Sequence, residues 1–172
     1  MINYNKNMII RHSLKNDIPK MLEIYETARA FMRSTGNMEQ WINGYPSKEV
    51  LEKDIENNES YICEKDGEIV GTFVYNIGID ETYNKIYEGQ WLNNKPYGYI
   101  HRIAGDGKTK GVGSFCINWA FEKCGNMKID THADNKPMQN LLLKLGFKKC
   151  GIIYIADGSQ RVAFQKEKKV IR

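Results

Sequence analysis

The sequence predicts one α/β domain: a mixed sheet of about seven strands, with about four helices distributed over both faces. Three observations carry that prediction. Short β-branched and aromatic runs alternate with stretches whose apolar residues recur three and four apart. A strand, a basic Gly-rich turn and a helix succeed one another in residues 97–121, YGYIHRIAGDGKTKGVGSFCINWAF. A second strand–helix–strand unit fills residues 127–147. The 172 residues suffice for one substantial core and fall short of two ordinary domains, so residues 1–172 are read as a single domain.

In chain order, Met8-Ile9-Ile10-Arg11-His12 reads as the first strand. Asp17 is placed to cap the next helix and Pro19 falls in its first turn. Ile18, Met21, Leu22, Tyr25, Ala28, Phe31 and Met32 make its apolar stripe, and residues 34–37 end it. Ser47 is the expected cap of a second helix running to about Asn57 and carrying Val50, Leu51, Asp54 and Ile55. Residues 61–64 and 69–75 are two strands joined by an Asp66-Gly67 hairpin turn. Residues 76–96 form a long polar loop with Tyr83, Tyr87 and Trp91, and loops of that length in compact domains are often functional.

After it, Tyr99-Ile100-His101-Arg102-Ile103-Ala104 is a buried strand. Val112, Phe115, Cys116, Trp119 and Ala120 are the inner face of a helix. Residues 127–131 form a short strand. Asn135 then caps a helix with Pro137 in its first turn and Met138, Leu141, Leu142 and Leu145 on its apolar face, and Gly146 closes it in the left-handed conformation. Residues 148–156 and 161–165 are the last two strands, turned by Asp157-Gly158-Ser159. The order is β-α-α-β-β-β-α-β-α-β-β.

Composition narrows the class of protein. A hydrophobic content of 41% and a charged content of 27% are those of a globular protein, and no apolar run approaches the roughly 20 residues that span a bilayer. The first residues, MINYNKNMIIRH, lack a leader's apolar segment. Cys63, Cys116, Cys124 and Cys150 have no C-x-x-C spacing and read as reduced thiols of a cytoplasmic protein. His12, His101 and His132 are too scattered to propose a metal site. A net charge of +4, part of it in the tail from Lys166 to Arg172, does not call for nucleic acid or a membrane surface as partner.

The basic turn is where the chemistry lies. A helix start leaves unpaired N–H donors, its dipole adds positive potential, and glycines let a ligand approach the main chain, so the turn suits a phosphate or pyrophosphate. A Walker loop is excluded, because the glycine required five residues before Gly107 is Arg102. The dinucleotide fingerprint is excluded because its third glycine falls on Lys110 or on Cys116. What remains is basic-x-x-Gly-x-Gly, Lys108-Thr109-Lys110-Gly111-Val112-Gly113, directly after a strand ending in Ile-Ala. A plain glycine turn capping a helix has the same local form. The downstream phrase Asp-Asn-x-x-Met-x-x-Leu-Leu-x-x-Leu-Gly-Phe, beginning at Asp134, separates the two.

Together these two motifs resemble the coenzyme A loop and the second half of the core of the GNAT acetyltransferase superfamily. The resemblance implies the GNAT fold, with a mostly antiparallel sheet, and acetyl-CoA as co-substrate. It implies cofactor contacts from Ile103, Ala104 and Gly105, from Lys108, Thr109, Lys110, Gly111, Val112, Gly113 and Ser114, from Asn135 beside the pantetheine arm and from Lys144 toward the adenosine phosphates. His101 stands where arylalkylamine acetyltransferases carry a base, and Tyr99 matches their second one; a structural strand residue is the other reading of His101. Trp41 and Tyr45, in the loop that walls the acceptor pocket of this fold, and Trp91 are candidate substrate contacts, although the first two can equally staple their loop to the core. The usual tyrosine acid is replaced by Leu142, which leaves departure of the thiolate unassisted or assigns the acid to Tyr154.

The expected reaction is transfer of an acetyl group to a primary amine of a small molecule. The alternatives are a catalytically silent acyl-CoA-binding module and a protein N-terminal acetyltransferase. Many relatives form homodimers, so that assembly is a possible one here.

Overall fold

The structure is a computed structural model that describes residues 7–169. Residues 1–6 of the segment read for a leader and residues 170–172 of the basic tail lie outside it. Strand β1 (Met8–His12) leads through a 3-10 turn into helix α1 (Ile18–Ser34) and helix α2 (Lys48–Glu56). Strands β2 (Ser60–Lys65), β3 (Glu68–Ile77) and β4 (Gly98–Gly105) follow, then α3 (Val112–Cys124), β5 (Asn126–Thr131), α4 (Lys136–Lys144), β6 (Lys148–Tyr154) and β7 (Gln160–Glu167). This is the expected order of elements. The sheet runs β1-β2-β3-β4-β5-β7-β6, antiparallel at every seam except β4–β5.

Local chemistry explains most boundaries. Ser47 accepts the Val50 N–H at the head of α2, and Asn135 accepts the Met138 N–H at the head of α4. Asp66 and Gly67 both have positive φ, as a two-residue hairpin turn demands. Gly146 closes α4 at φ 91°.

Two expectations need correcting. The Asp17 side chain does not cap α1: its carboxylate accepts the Leu14 N–H of the preceding 3-10 turn and a two-pronged bond from Arg11, whose charge outcompetes the helix N–H groups. Strand β6 ends at Tyr154 rather than Ala156, where the turn closes with the Ile155 N–H donating to the Ser159 carbonyl.

The helices bury opposite faces of the sheet. α3 and α4 pack over β2–β5 and β7 through Cys116, Ile117, Ala120, Phe121 and Leu142, against Phe73, Ile100, Met127, Ile129 and Phe164. On the other face α1 and α2 pack Met21, Ile24, Tyr25 and Leu51 against Ile62 and Ala104. The long loop covers the remainder of that face, with Tyr83 and Tyr97 over Ile153 and Ala163. It also pairs with the outer edge of β6: Tyr87 and Ile152 exchange both backbone hydrogen bonds, and the Gln90 N–H reaches the Cys150 carbonyl. Gly71 lets α3 start close to the sheet, because a Cβ there would lie 2.5 Å from Val112 Cγ1 and 3.2 Å from the Ala104 carbonyl oxygen. Among the described residues no helix is long and apolar enough to cross a membrane.

Candidate active site

The site begins where two strands part. β4 and β5 are paired only at Gly98–Met127 and Tyr99–Lys128, so beyond Tyr99 the β5-facing edge of β4 carries no ladder bonds. The β3–β4 register slips between Thr72 and Val74, and Arg102 takes φ 50° at that bulge. A cleft of about 420 Å³ opens at the separation. Its floor is Ile103, Ala104 and Gly105, and its far end is Gly107, Thr109, Gly111, Val112 and Gly113. Thr27, Ala28, Phe31 and Met32 of α1 wall one side, and Asn135, Pro137, Met138 and Leu141 of α4 the other. The volume lies within the usual range of small-ligand sites.

The donor set at the glycine end suits an anion. The residue capping α3 is Gly111, at φ 80°, which offers no side-chain oxygen to the first-turn N–H groups of Val112, Gly113 and Ser114. Lys108 and Thr109 differ from expectation. Asp106 Oδ1 accepts both of their N–H groups, at 2.9 and 2.8 Å, and its Oδ2 accepts the Thr109 hydroxyl. That carboxylate shapes the turn, so the Lys108 and Thr109 N–H groups are engaged within it. Thr109 and Val112 line the cleft; Lys108, Lys110, Ser114 and Lys144 are not among its lining residues, and of these only Ser114 is not exposed. The glycine end and the unpaired strand edge therefore offer main-chain N–H and C=O groups to an extended, anionic ligand.

His101 lies one residue before the bulge, on the face covered by the long loop. Its Nε2 meets Asp80 Oδ2 at 2.6 Å, and both side chains are largely shielded. Asp80 is itself held: its Oδ1 accepts the N–H and hydroxyl of Thr82, and its own N–H donates to the Tyr97 hydroxyl. Burial pushes the Asp80 carboxyl up, but hydrogen bonds from His101 and Thr82 outweigh it, leaving the group below the ordinary carboxylate range. Tyr99 packs its ring 5.2 Å from His101 and accepts a 3.3 Å bond from Asn76. Asp80 was not among the sequence candidates. The pattern Asp-x-Thr inside a long loop signals a local turn, but its bond to a strand residue 21 positions away has no local trace.

The other candidates divide. Trp41 packs edge-on against Tyr25, and its loop is gripped by Arg33, which donates to the carbonyls of Asn37, Gln40 and Trp41. Tyr45 is exposed, and its hydroxyl accepts from Arg102, whose remaining nitrogens fork onto Asp54. Trp91 donates to the Tyr83 carbonyl and lies over the Lys128 ammonium, so it anchors the loop.

Asn135 is held through both side-chain atoms: its Oδ1 caps α4 and its Nδ2 donates to Gln40 Oε1, which also accepts from Asn37. The cap fixes which way Asn135 points, and hence the orientation of both partner amides. This network ties the α1–α2 loop to α4 beside the cleft. Tyr154 is not brought to the cleft. It sits on β6, the sheet's edge strand, with β5 and β7 between it and β4, and its ring meets Tyr87. Leu142 is fully buried in the core, which closes its position to any acid.

Three partly buried carboxyls of the molecule stay charged to unusually low pH: Asp17, through hydrogen bonds from Arg11, and Asp80 and Asp106, where hydrogen bonds outweigh burial. Each contributes stability that is complete above its unfolded value, about 3.9, and is lost as pH falls through the lower folded value. Thermal melts are expected to hold steady from neutral pH to about 5 and to fall steeply below about 4. Asp17→Asn should flatten that acid limb; an unchanged limb would mean the Arg11 pair adds nothing.

The site is thus a seven-stranded sheet opened at its one parallel pair, with a glycine-capped helix at the opening. The chain belongs to the Acetyltransferase (GNAT) family, whose model matches residues 19–147. A solved GNAT-family acetyltransferase from Streptococcus agalactiae 2603 is 35% identical with a TM-score of 0.85, covering 96% of this chain and 98% of its own. A Staphylococcus aureus Mu50 protein is 27% identical with a TM-score of 0.70, over 94% of this chain and 99% of its own. A ribosomal-protein-alanine N-acetyltransferase from Brucella melitensis shares the fold at 19% identity and a TM-score of 0.61, over 92% and 99%. No curated protein matches the chain. The protein is an acyltransferase of this family.

Proposed function

We propose that the protein transfers the acetyl group of acetyl-CoA to a primary amine of a small molecule, the amine attacking directly in a ternary complex. The observation that carries this is the imidazole of His101, held by Asp80 two residues before the cleft floor. An amine with an ordinary value near ~10.4 is mostly charged at neutral pH, and a neutral imidazole can accept its proton directly or through a water. Bound acetyl-CoA supplies the activated acyl group as a thioester.

Direct attack is supported by the cysteines: Cys63, Cys116 and Cys150 are buried, and no cysteine lines the cleft to serve as an acyl carrier. The unpaired edge of β4 offers main-chain groups to the acyl chain and its carbonyl. With Leu142 buried, thiolate departure relies on the ordinary acidity of a thiol, about 8.5. The four free thiols favour a reducing compartment, the cytoplasm.

Coenzyme A at about 100 times its Kd should raise stability by about 2.7 kcal/mol, a Tm increase of roughly 5–10 °C for a domain of this size. Gly113→Val should remove that shift, because a branched side chain would fill the anion's approach to the helix start. Its Cβ would also lie 3.1 Å from Leu141 Cδ2, a flexible chain end that can give way. Gly111→Val is the poorer test, since φ 80° strains any β-branched residue. A wild-type shift in Gly113→Val would sink the coenzyme site; turnover of acetyl-CoA with a panel of primary amines tests the acceptor class.

A further inference from the structure

We infer that Asp80 is a positioning residue that selects the tautomer of His101, making Nδ1 the nitrogen that receives the substrate proton. This rests on the proposed role of His101 as base and adds the group that prepares it. The Nε2–Oδ2 separation of 2.6 Å places a carboxylate, which can only accept, against one ring nitrogen. In the neutral ring that nitrogen must carry the hydrogen, and the lone pair then resides on Nδ1. Among the described residues no hydrogen bond reaches Nδ1.

The carboxylate is not a mobile surface group. Thr82 holds its other oxygen twice, and Tyr97 holds its backbone N–H and lies 3.4 Å from its carbonyl, so the turn before Tyr83 presents Oδ2 to the ring. Tyr83 is in turn anchored through its hydroxyl to Asp130, at 2.7 Å. The long loop thus carries a fixed carboxylate to the strand that bears His101.

The other groups facing the ring do not compete for it. Tyr83 and Tyr99 present aromatic rings, at 6.1 and 5.2 Å between centroids. Arg102, the neighbouring cation on β4, is forked onto Asp54, and Glu59 accepts from Asn76 beyond Tyr99. Asp80 is the one carboxylate in contact with His101 among the described residues.

Asp80→Asn separates tautomer selection from mere support of the turn. Asparagine can still accept from Thr82, but its amide then offers N–H to Nε2, which moves the ring hydrogen to Nδ1. Alanine removes both functions. Long-range 1H–15N NMR of the wild-type protein should show His101 with hydrogen on Nε2, and Asp80→Asn should show it on Nδ1. With acetyl-CoA and a panel of primary amines (an alkylamine, a diamine and an arylalkylamine), kcat of Asp80→Asn should fall roughly 10–100-fold, the worth of one hydrogen bond to a charged group.

Asp80→Asn should be at least as impaired as Asp80→Ala, and Asp80→Glu should recover part of the rate. A turn-supporting role gives the reverse ranking, with asparagine near wild type, and overturns the inference. So does hydrogen on Nδ1 in the wild-type ring. If His101→Ala itself keeps full rate, the reading of His101 as base fails; if only that variant is impaired and Asp80→Asn is not, the base stands and the role of Asp80 falls.

Discussion

His101→Ala is expected to cut the rate of acetyl transfer roughly 10²–10⁴-fold while leaving coenzyme A affinity nearly unchanged. The two effects separate because the cleft is lined by Ile103–Gly105 and the glycine turn, whereas His101 lies before the Arg102 bulge on the face under the long loop. Loss of the base should also flatten the acidic limb of the pH profile. Raising the pH should partly restore the variant, because more of the amine is then neutral without help. Tyr99→Phe should matter far less, since its hydroxyl is engaged with Asn76 and only its ring packs on His101. A packing role gives a different result: lower stability, an unaltered rate per folded molecule and an unaltered profile. That outcome would send the search to a water near Glu81 or Glu88 in the same loop.

The second large effect concerns stability. Asp54→Ala should cost about 3–5 kcal/mol, because it strands the Arg102 guanidinium in a largely buried position. The pair is two-pronged, Nε to Oδ2 at 2.9 Å and Nη2 to Oδ1 at 2.7 Å, and ties α2 to the bulge of β4. The Arg102 carbonyl is gripped in addition by the Tyr25 hydroxyl at 2.7 Å. At roughly 2–4 °C per kcal/mol for a domain of this size, the Tm should fall by roughly 6–20 °C. Replacing both partners, Asp54→Leu with Arg102→Met, should recover much of the loss, since the cost lies in an unpaired buried charge rather than in the absence of the pair. Urea denaturation of the single and double variants measures this. A loss below about 1 kcal/mol in Asp54→Ala would show that the pair behaves like a solvent-exposed one.

The elements and their ends were legible in the sequence because their signals are local. Asn135, Pro137 and Gly146 mark α4 by caps and turns within one or two residues of its ends, and Gly111 marks the start of α3 in the same way. The apolar stripe of α1 placed Met21 and Tyr25 in the core, but its spacing could not show that Phe31 stays exposed as a wall of the cleft while Ile24 is buried. Asp17 carried the right residue type for capping, yet its donor was chosen by a neighbour outside the helix, the guanidinium of Arg11.

The surroundings of His101 were decided by tertiary structure. His101 stood out by its place before the strand end, but the strand's period predicts only alternation. The bulge at Arg102 breaks that alternation and sends Arg102 to Asp54 on the same side as His101. Asp80 meets His101 only because the loop folds back over the sheet, pinned by Tyr83 on Asp130 and by Tyr97 on Asp80 itself. Tyr154 was displaced by topology, since the chain places β7 inside β6 and leaves β6 at the edge. By itself, the sequence determined the order of elements and the glycine-capped helix start, both of which rest on contacts within a few residues. Which side chains share the space beside that cleft depends on strand order, register and the path of the long loop, and those are set by burial summed over the whole sheet.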